Sequence, residues 1–465
     1  MFAAINYDLF TITAIATGLN PQVHLPDIRL HSITNSSLEV RPGSLFVPLK
    51  DRRDGHDFIA DAVERGALAF FARKNHPVLK KLPADVRARA IIVDDPLLSL
   101  GRLAKFHRDR YTPLVIAVTG SNGKTTTKEM LAQIFGAALG KTCVATVKNY
   151  NNHIGVPFTL FSIGPETRAA IIEMGMNHAG EIAYLTRLAS PHAALISSIG
   201  HAHIEFFRSR AGIAQAKAEI VQGMPQGGRL YLPANIAELK TIRRAAAQAR
   251  VLVHTVDMNK SILRVKKRSA EGFVLSIGKR RLMFPYANAA WVSNLALAVE
   301  AACDAGITAD SIASAVEKFK PADGRMQFLS VPGSELTVID DGYNANPDSA
   351  IASIDSALQA AAGRPVVCVF GDFKELGRFS NSLHTWTGTE AARAGVAAFY
   401  GIGRDMRHAV TAFRRKAPMR PAENFTREKF SQLAAKLRAE AGNAIILVKG
   451  SRSMRMEEFV ALLRK

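Results

Sequence analysis

The chain has 465 residues, 48% hydrophobic and 22% charged. That is ordinary globular composition, with length for roughly three domains of about 150 residues each, and it excludes a disordered tail, a collagen-like rod and a disulfide mini-scaffold. Sixty Lys and Arg against 40 Asp and Glu leave a net charge of +20, which favours anionic partners such as nucleotides, phosphorylated substrates or nucleic acid. The basic clusters Lys266-Lys267-Arg268, Lys279-Arg280-Arg281 and Arg414-Arg415-Lys416 are short and carry no interleaved aromatic residues for base stacking. They are read as solvated faces, and nucleic acid is not expected. No apolar run reaches about 18 residues, so no membrane span is expected. Met1–Asn20 lacks a basic start and carries Asp8 in its apolar stretch, which is not a signal peptide pattern. Cys143, Cys303 and Cys368 share no ligand spacing and are expected as free thiols in a reducing cytoplasm.

In chain order, the stretch to Tyr111 reads as a small α/β unit with strands Ser44–Leu49 and Ala90–Val93 and a helix Asp57–Arg65 ending at Gly66. From Pro113 the apolar strand Leu114–Val118 runs into Thr119-Gly120-Ser121-Asn122-Gly123-Lys124-Thr125-Thr126-Thr127 and then a helix Lys128–Leu139. Strands Ala169–Glu173, Ala193–Ser198 and Gly228–Leu232 alternate with helices Ala179–Leu188, Ala211–Gln222 and Ile236–Ala247, which predicts a doubly wound, mainly parallel sheet. Leu252–Phe284 reads as an antiparallel patch, followed by a helix Ala289–Ala305. Past a linker, Lys318–Gly324, strands at Leu336–Asp340, Pro365–Phe370, Ala397–Gly401 and Ala444–Val448 alternate with helices Asp348–Ala362, Thr387–Ala394, Phe430–Glu440 and Met454–Leu463. This predicts a third, Rossmann-like domain. The expected division is 1–111, 112–319 and 320–465.

The strongest chemical signal is the turn after Val118. Gly120 and Gly123 allow backbone N–H groups to face phosphate oxygens, with the helix dipole behind them. Lys124 can reach terminal phosphates and the Thr125 hydroxyl can ligate Mg²⁺. The pattern departs from the standard P-loop in having Val118 where the upstream glycine belongs. Glu173 ends a buried strand and His203 follows another, both at carboxyl ends where open α/β sheets bind ligands. The alternatives are a helix-capping glutamate and a satisfied polar histidine. Asn149–Pro157, with Asn151 and Asn152, suits sugar or peptide hydrogen bonds or is an Asx-rich turn. Lys217 sits in a helix, where residue statistics favour a surface position. Asp340–Pro347, Gly371–Gly377 and Lys449–Ser453 put polar residues at three strand ends, which together predict a substrate crevice.

These strings resemble the Mur ligases of bacterial cell-wall synthesis. The resemblance runs over almost the full length in order: Ser44–Leu49 with Gly55–Phe58, Thr119–Thr125, Asn149–Pro157, Glu173–Glu181, Ile199–Ile220, Trp291–Ala302, Gly324-Arg325-Met326, Asp340–Pro347, Gly371–Gly377 and Lys449–Ser453. It implies ATP and two Mg²⁺ ions, with Gly120, Ser121, Asn122, Gly123, Lys124, Thr125, Thr126, Asn294, Arg325, Asp341, Tyr343 and Asn344 on the nucleotide. It implies Thr125, Glu173, His203 and a carbamylated Lys217 as metal ligands, and Lys124, Glu173, His203, Lys217 and Arg325 as the catalytic set. Asn151, Asn152, Lys449, Ser451 and Arg452 would meet the peptide substrates. The Tyr-Asn-Ala-Asn-Pro and Lys-Gly-Ser-Arg-Ser strings imply UDP-N-acetylmuramoyl-tripeptide and D-alanyl-D-alanine as substrates of a cytoplasmic, monomeric, ADP-forming ligase, with a uridine-nucleotide domain at the N-terminus. Thr34-Asn35-Ser36-Ser37 stands where the family usually carries an acid-Ser/Thr-Arg string, and His153 stands at a place that is often acidic. A ligase adding a diamino acid or glutamate, and a nucleic-acid-binding P-loop protein, are the rival readings. The Asp-Asn-Pro-Arg string of the diamino-acid-adding relatives is absent.

Overall fold

The structure, a computed structural model, describes residues 1–18 and 28–465; the last two residues of Met1–Asn20 lie outside it. The first sheet orders Phe2–Asp8, Arg29–Thr34, Ser44–Phe46, Ala67–Arg73 and Ala90–Val93, the first pair antiparallel and the rest parallel. Asp8, which interrupts the apolar start, ends the first strand and caps the helix Leu9–Thr17, accepting from the Thr11 N–H at 2.7 Å and hydroxyl at 2.9 Å. Helix Pro96–Asp109, capped by Asp95, packs against Gly155–Leu160 and Glu181–Ala189 and so joins the first layer to the second. His107 on that helix accepts from the Tyr7 hydroxyl through Nδ1 at 2.7 Å and donates through Nε2 to the Ile163 carbonyl at 2.7 Å. Burial holds its imidazole below the ordinary value, so it stays neutral and bridges as both donor and acceptor.

The central sheet is all parallel in the order Leu252–Val256, Arg229–Pro233, Ala193–Ile196, Leu114–Thr119, Ala169–Glu173, Cys143–Ala145. Strand Leu114–Thr119 therefore has later strands on both sides, and its carboxyl end is the topological switch point where a crevice opens. The expected antiparallel patch is a three-stranded sheet, Leu263–Ser269, Gly272–Ile277 and Arg280–Phe284, while Leu252–Val256 joins the parallel sheet instead. The C-terminal sheet, the third of the large ones and called the third sheet below, orders Gln327–Ser330, Thr337–Asp340, Ile445–Lys449, Val366–Gly371, Ala398–Ile402 and Ala422–Phe425, with only the first pair antiparallel.

Helix boundaries move where polar side chains are spent on tertiary contacts. The P-loop helix starts at Lys124 rather than Lys128, because its first turn buries Thr126 and Thr127. The helix expected at Thr387–Ala394 starts at Ser380 and buries His384, whose Nε2 accepts from the Phe373 N–H at 3.1 Å. The stretch expected as one helix, Ala211–Gln222, is an α-helix Arg210–Ala218 followed by 3₁₀ turns over Glu219–Gly223. Among the described residues no helix is long and apolar enough to cross a membrane.

Candidate active site

The loop after Thr119 is fastened by the protein's own contacts. Gly123 caps the helix Lys124–Leu139 at φ +81°, and a Cβ there would lie 2.5 Å from Asn294 Nδ2. Gly120 has φ +154°, and its Cβ would lie 2.0 Å from Ser197 Oγ. Only glycine combines these angles with this closeness. Two serines past strand Ala193–Ile196 hold the loop: Ser198 Oγ accepts from the Asn122 N–H at 2.8 Å, and Ser197 Oγ donates to the Asn122 carbonyl at 2.5 Å. Lys124 Nζ folds back to the Gly120 carbonyl at 2.7 Å. Burial pushes its ammonium below the ordinary value, and Glu173 opposes that.

Glu173 is buried at the end of its strand. Its Oε1 accepts from Thr125 Oγ1 at 3.2 Å and from Asn151 Nδ2 at 2.7 Å, while Oε2 is buried with no partner. A buried carboxylate oxygen is costly to leave unpaired, and this one sits beside the P-loop threonine. Those are the features of a Mg²⁺ ligand set built from oxygen donors. Asn152 divides its amide: Oδ1 accepts from the Gly155 N–H at 2.9 Å in its own turn, so the Asx reading holds for that atom.

The third sheet supplies the opposite wall. Arg325 donates to Thr125 Oγ1 at 3.1 Å and lies 4.7 Å from the Tyr343 ring centroid. Arg452 approaches the same ring at 5.9 Å. Asn346, the cap of helix Pro347–Ala361, donates from Nδ2 to Asn122 Oδ1 at 2.6 Å, directly onto the P-loop. The Asp341 carboxylate turns toward its own domain, where it takes Lys449 Nζ at 2.5 Å and Ser353 Oγ at 2.6 Å. Ser451 Oγ accepts from the Lys374 N–H at 2.9 Å, and the Asn344 side-chain oxygen accepts from the Ala345 N–H at 2.9 Å. Between these walls lies a cavity of about 1020 Å³. Of the catalytic, nucleotide, metal and substrate residues assigned from sequence, all but Gly120 and Lys217 line it.

Residues 118–302 match the Mur ligase middle domain and residues 324–452 the Mur ligase glutamate ligase domain. The chain belongs to the Mur ligase family. It is 33% identical, over 98% of its own length and 98% of the relative's, to the UDP-N-acetylmuramoyl-tripeptide–D-alanyl-D-alanine ligase of Escherichia coli (strain K12). A crystal structure of MurF from Acinetobacter baumannii matches with TM-score 0.84 at 28% identity, covering 99% of both chains. Another match from that organism is a UDP-N-acetylmuramoylalanyl-D-glutamyl-2,6-diaminopimelate–D-alanyl-D-alanyl ligase, with TM-score 0.80 at 28% identity and 99% coverage of both chains. The chain is thus a peptide ligase of peptidoglycan-precursor synthesis.

In this Mur ligase Lys217 is a buried lysine, not the surface residue that statistics favour. Among the described residues it has no ion-pair or hydrogen-bond partner. Burial, and then repulsion from Lys124, push its ammonium well below the ordinary value. Both effects favour the uncharged, nucleophilic form of the amine. Sequence reasoning missed the contacts that join this Mur ligase's domains. His203 Nδ1 lies 2.5 Å from Glu375 Oε2, and His201 Nδ1 lies 2.9 Å from Asp348 Oδ1. Glu375 and Asp348 fall within or beside strings already singled out. No local signal marks either one, because each partner is more than 140 residues away.

Proposed function

We propose that this ligase joins D-alanyl-D-alanine to the terminal carboxylate of UDP-N-acetylmuramoyl-tripeptide, the reaction for which its Escherichia coli relative is named. The observation that carries the site assignment is Glu173: one oxygen is tied to Thr125 and Asn151, and the other is buried without a partner at the mouth of the P-loop. Residues 1–111 would hold the uridine nucleotide, 112–319 ATP and the acceptor, and 320–465 the dipeptide, in one subunit. The side-chain oxygen of Asn35, in the string that departs from the family, is buried without a partner and is our candidate for a uridine contact.

A carboxylate resists attack by an amine because the attack would add charge to an anion. Transfer of the ATP γ-phosphoryl group to a carboxylate oxygen, with ADP leaving, gives an acyl phosphate. The amine of D-alanyl-D-alanine then forms a bond to the acyl carbon and loses a proton, the tetrahedral adduct collapses, and phosphate departs. Gly120, Ser121, Asn122, Gly123 and Thr126 would present backbone and side-chain donors to the phosphates. Lys124 and Arg325 would face the charge on the transferring group. Thr125, Glu173, His203 and a carbamylated Lys217 would hold two Mg²⁺ ions, which when bound supply positive charge beside the phosphoryl oxygens. Carbamylation joins the neutral Lys217 nitrogen to CO₂ with loss of a proton and turns an unpaired amine into an anionic oxygen donor. Asn294, Asp341, Tyr343 and Asn344 would border the nucleotide. Asn151 and Asn152 would meet the acceptor, and Lys449, Ser451 and Arg452 the dipeptide side. The test is phosphate release and peptide lengthening with ATP, Mg²⁺, tripeptide and D-alanyl-D-alanine. Incorporation of single amino acids in place of the dipeptide would overturn the assignment.

A further inference from the structure

The carboxylate that reacts belongs to the acceptor's third residue, so that residue's side chain begins two bonds from the reacting oxygen-bearing carbon. With that carboxylate beside Glu173, as the ligase reading has it, the side chain needs a place close by. A second hollow of about 240 Å³ opens there, between helix Pro96–Asp109 and helix Glu181–Ala189. Its body is apolar: Leu97, Leu98, Ala179, Tyr184 and Leu185. Its rim, Asn152, His153, Gly175 and Glu181, also lines the main cavity, so the two spaces adjoin across these four residues. Gly175 lies against Asn151, with an added Cβ only 2.9 Å from Asn151 Oδ1, and Asn151 Nδ2 donates to Glu173. One side chain therefore separates the hollow's wall from the catalytic carboxylate.

The charge on this lining is one-sided. It contains no Lys or Arg, and Glu181 is its single carboxylate. Glu181 Oε2 accepts from the Asn177 N–H at 2.7 Å and Oε1 stands 3.3 Å from His178 Nδ1. A carboxylate offers about four acceptor positions, so capacity remains for an incoming donor. The N-terminus of helix Glu181–Ala189 is already served by another anion, because Glu219 accepts from the Gly180 and Ala183 N–H groups. The site thus joins an aliphatic sleeve to a negative rim, the complement of a linear side chain with a positive end.

We propose that this hollow receives the side chain of the acceptor's third residue, with the methylenes on Leu98 and Leu185 and the terminal ammonium on Glu181. The proposal rests on the ligase reading above. Lysine and 2,6-diaminopimelate share this chemistry. The latter adds a carboxylate, for which His153 on the same rim is a donor.

The experiment measures kcat and KM with four acceptors ending in lysine, meso-diaminopimelate, norleucine and alanine, for the wild type, Glu181→Gln, Leu98→Trp and His153→Ala. Leu98 is 48% exposed, so its replacement narrows the hollow without touching the core. Glu181→Gln is expected to raise KM about tenfold for the ammonium-ended acceptors and leave norleucine unchanged. Leu98→Trp should raise KM for the three long side chains and spare alanine. Of the two ammonium-ended acceptors, the one with higher wild-type kcat/KM is the natural side chain; if it is diaminopimelate, His153→Ala weakens that acceptor alone. Equal effects of Glu181→Gln on lysine and norleucine, or indifference of every acceptor to Leu98→Trp, would overturn the pocket while leaving the ligase standing. Failure of all four acceptors in the wild type would instead remove the ligase reading, and the pocket with it.

Discussion

His203 Nδ1 and Glu375 Oε2 stand 2.5 Å apart across the join between the central and third sheets. Glu375 is held below the usual carboxylate range chiefly by the His203 imidazole beside it, against the opposing push of burial. The backbone of both residues is left-handed, at φ +62° and +61°, which is uncommon outside glycine. The pair acts as a latch at the cavity edge, alongside Asn346 on Asn122 and Asp348 on His201. Glu375→Gln is expected to lower kcat/KM about fivefold, matching a partly exposed pair worth about 1 kcal/mol. It should also enlarge the radius of gyration in solution scattering. A variant with wild-type values for both would show that the contact does not hold the domains.

Lys124→Met removes the one ammonium folded into the P-loop. The turnover number should fall about 10²–10³-fold, the scale of losing a preorganised charge donor. Phosphate release checks this, and an unchanged melting temperature separates the effect from misfolding.

Lys217→Ala should abolish ligation, because it removes the buried amine that would carry the carbamate. Small carboxylates such as acetate, added to that variant, should restore part of the rate by supplying the missing anionic oxygen. Full activity without them would remove the carbamate role.

Lys449 and Asp341 form an ion pair in which the side chains are only 4% and 12% exposed. Lys449→Met leaves the carboxylate buried beside Ser353 with its charge unmatched. Breaking such a pair from one side costs about 3–5 kcal/mol. Denaturant titration should register that loss, and Lys449→Met with Asp341→Leu should recover part of it. Equal stability of the single variant and the wild type would place the pair in water.

In the first layer, His56 and His76 stack at 4.0 Å and share Asp54. Burial holds the His56 imidazole below its ordinary 6.5, with Asp54 opposing. The unfolded chain therefore takes up this proton first. The contribution to stability is complete above about pH 6.5 and declines as pH falls through the folded value. For Asp54, burial pushes upward, but the His56 N–H and ring and the His76 ring outweigh it and hold the carboxyl at about 2. Its contribution is present above its ordinary 3.8 and is lost as pH falls toward 2. A melting-temperature series from pH 8 to pH 3 should show the first decline, and His56→Gln should flatten the part that begins below about pH 6.5.

Much of this molecule is legible without coordinates. Strands Ala90–Val93 and Ala169–Glu173 and helix Phe430–Glu440 have the bounds their residue patterns predict, since unbroken apolar runs and helical periodicity are local properties. The P-loop is equally local: its glycines, lysine and threonine are consecutive. Less legible are short or mixed elements such as Cys143–Ala145, Gly155–Leu160 and Ala422–Phe425, whose conformation depends on the sheet or helix they lean on.

Pattern along the chain determined the alternation of strand and helix and which polar residues lie at strand ends, because side-chain size and backbone freedom act over a few neighbours. Tertiary structure alone decided that Lys217 is buried, that Asp341 answers Lys449 and that Glu375 meets His203. These partners are separated by 108 and 172 positions, and only the order of strands in two sheets and the seating of one domain on another sets the distance between them.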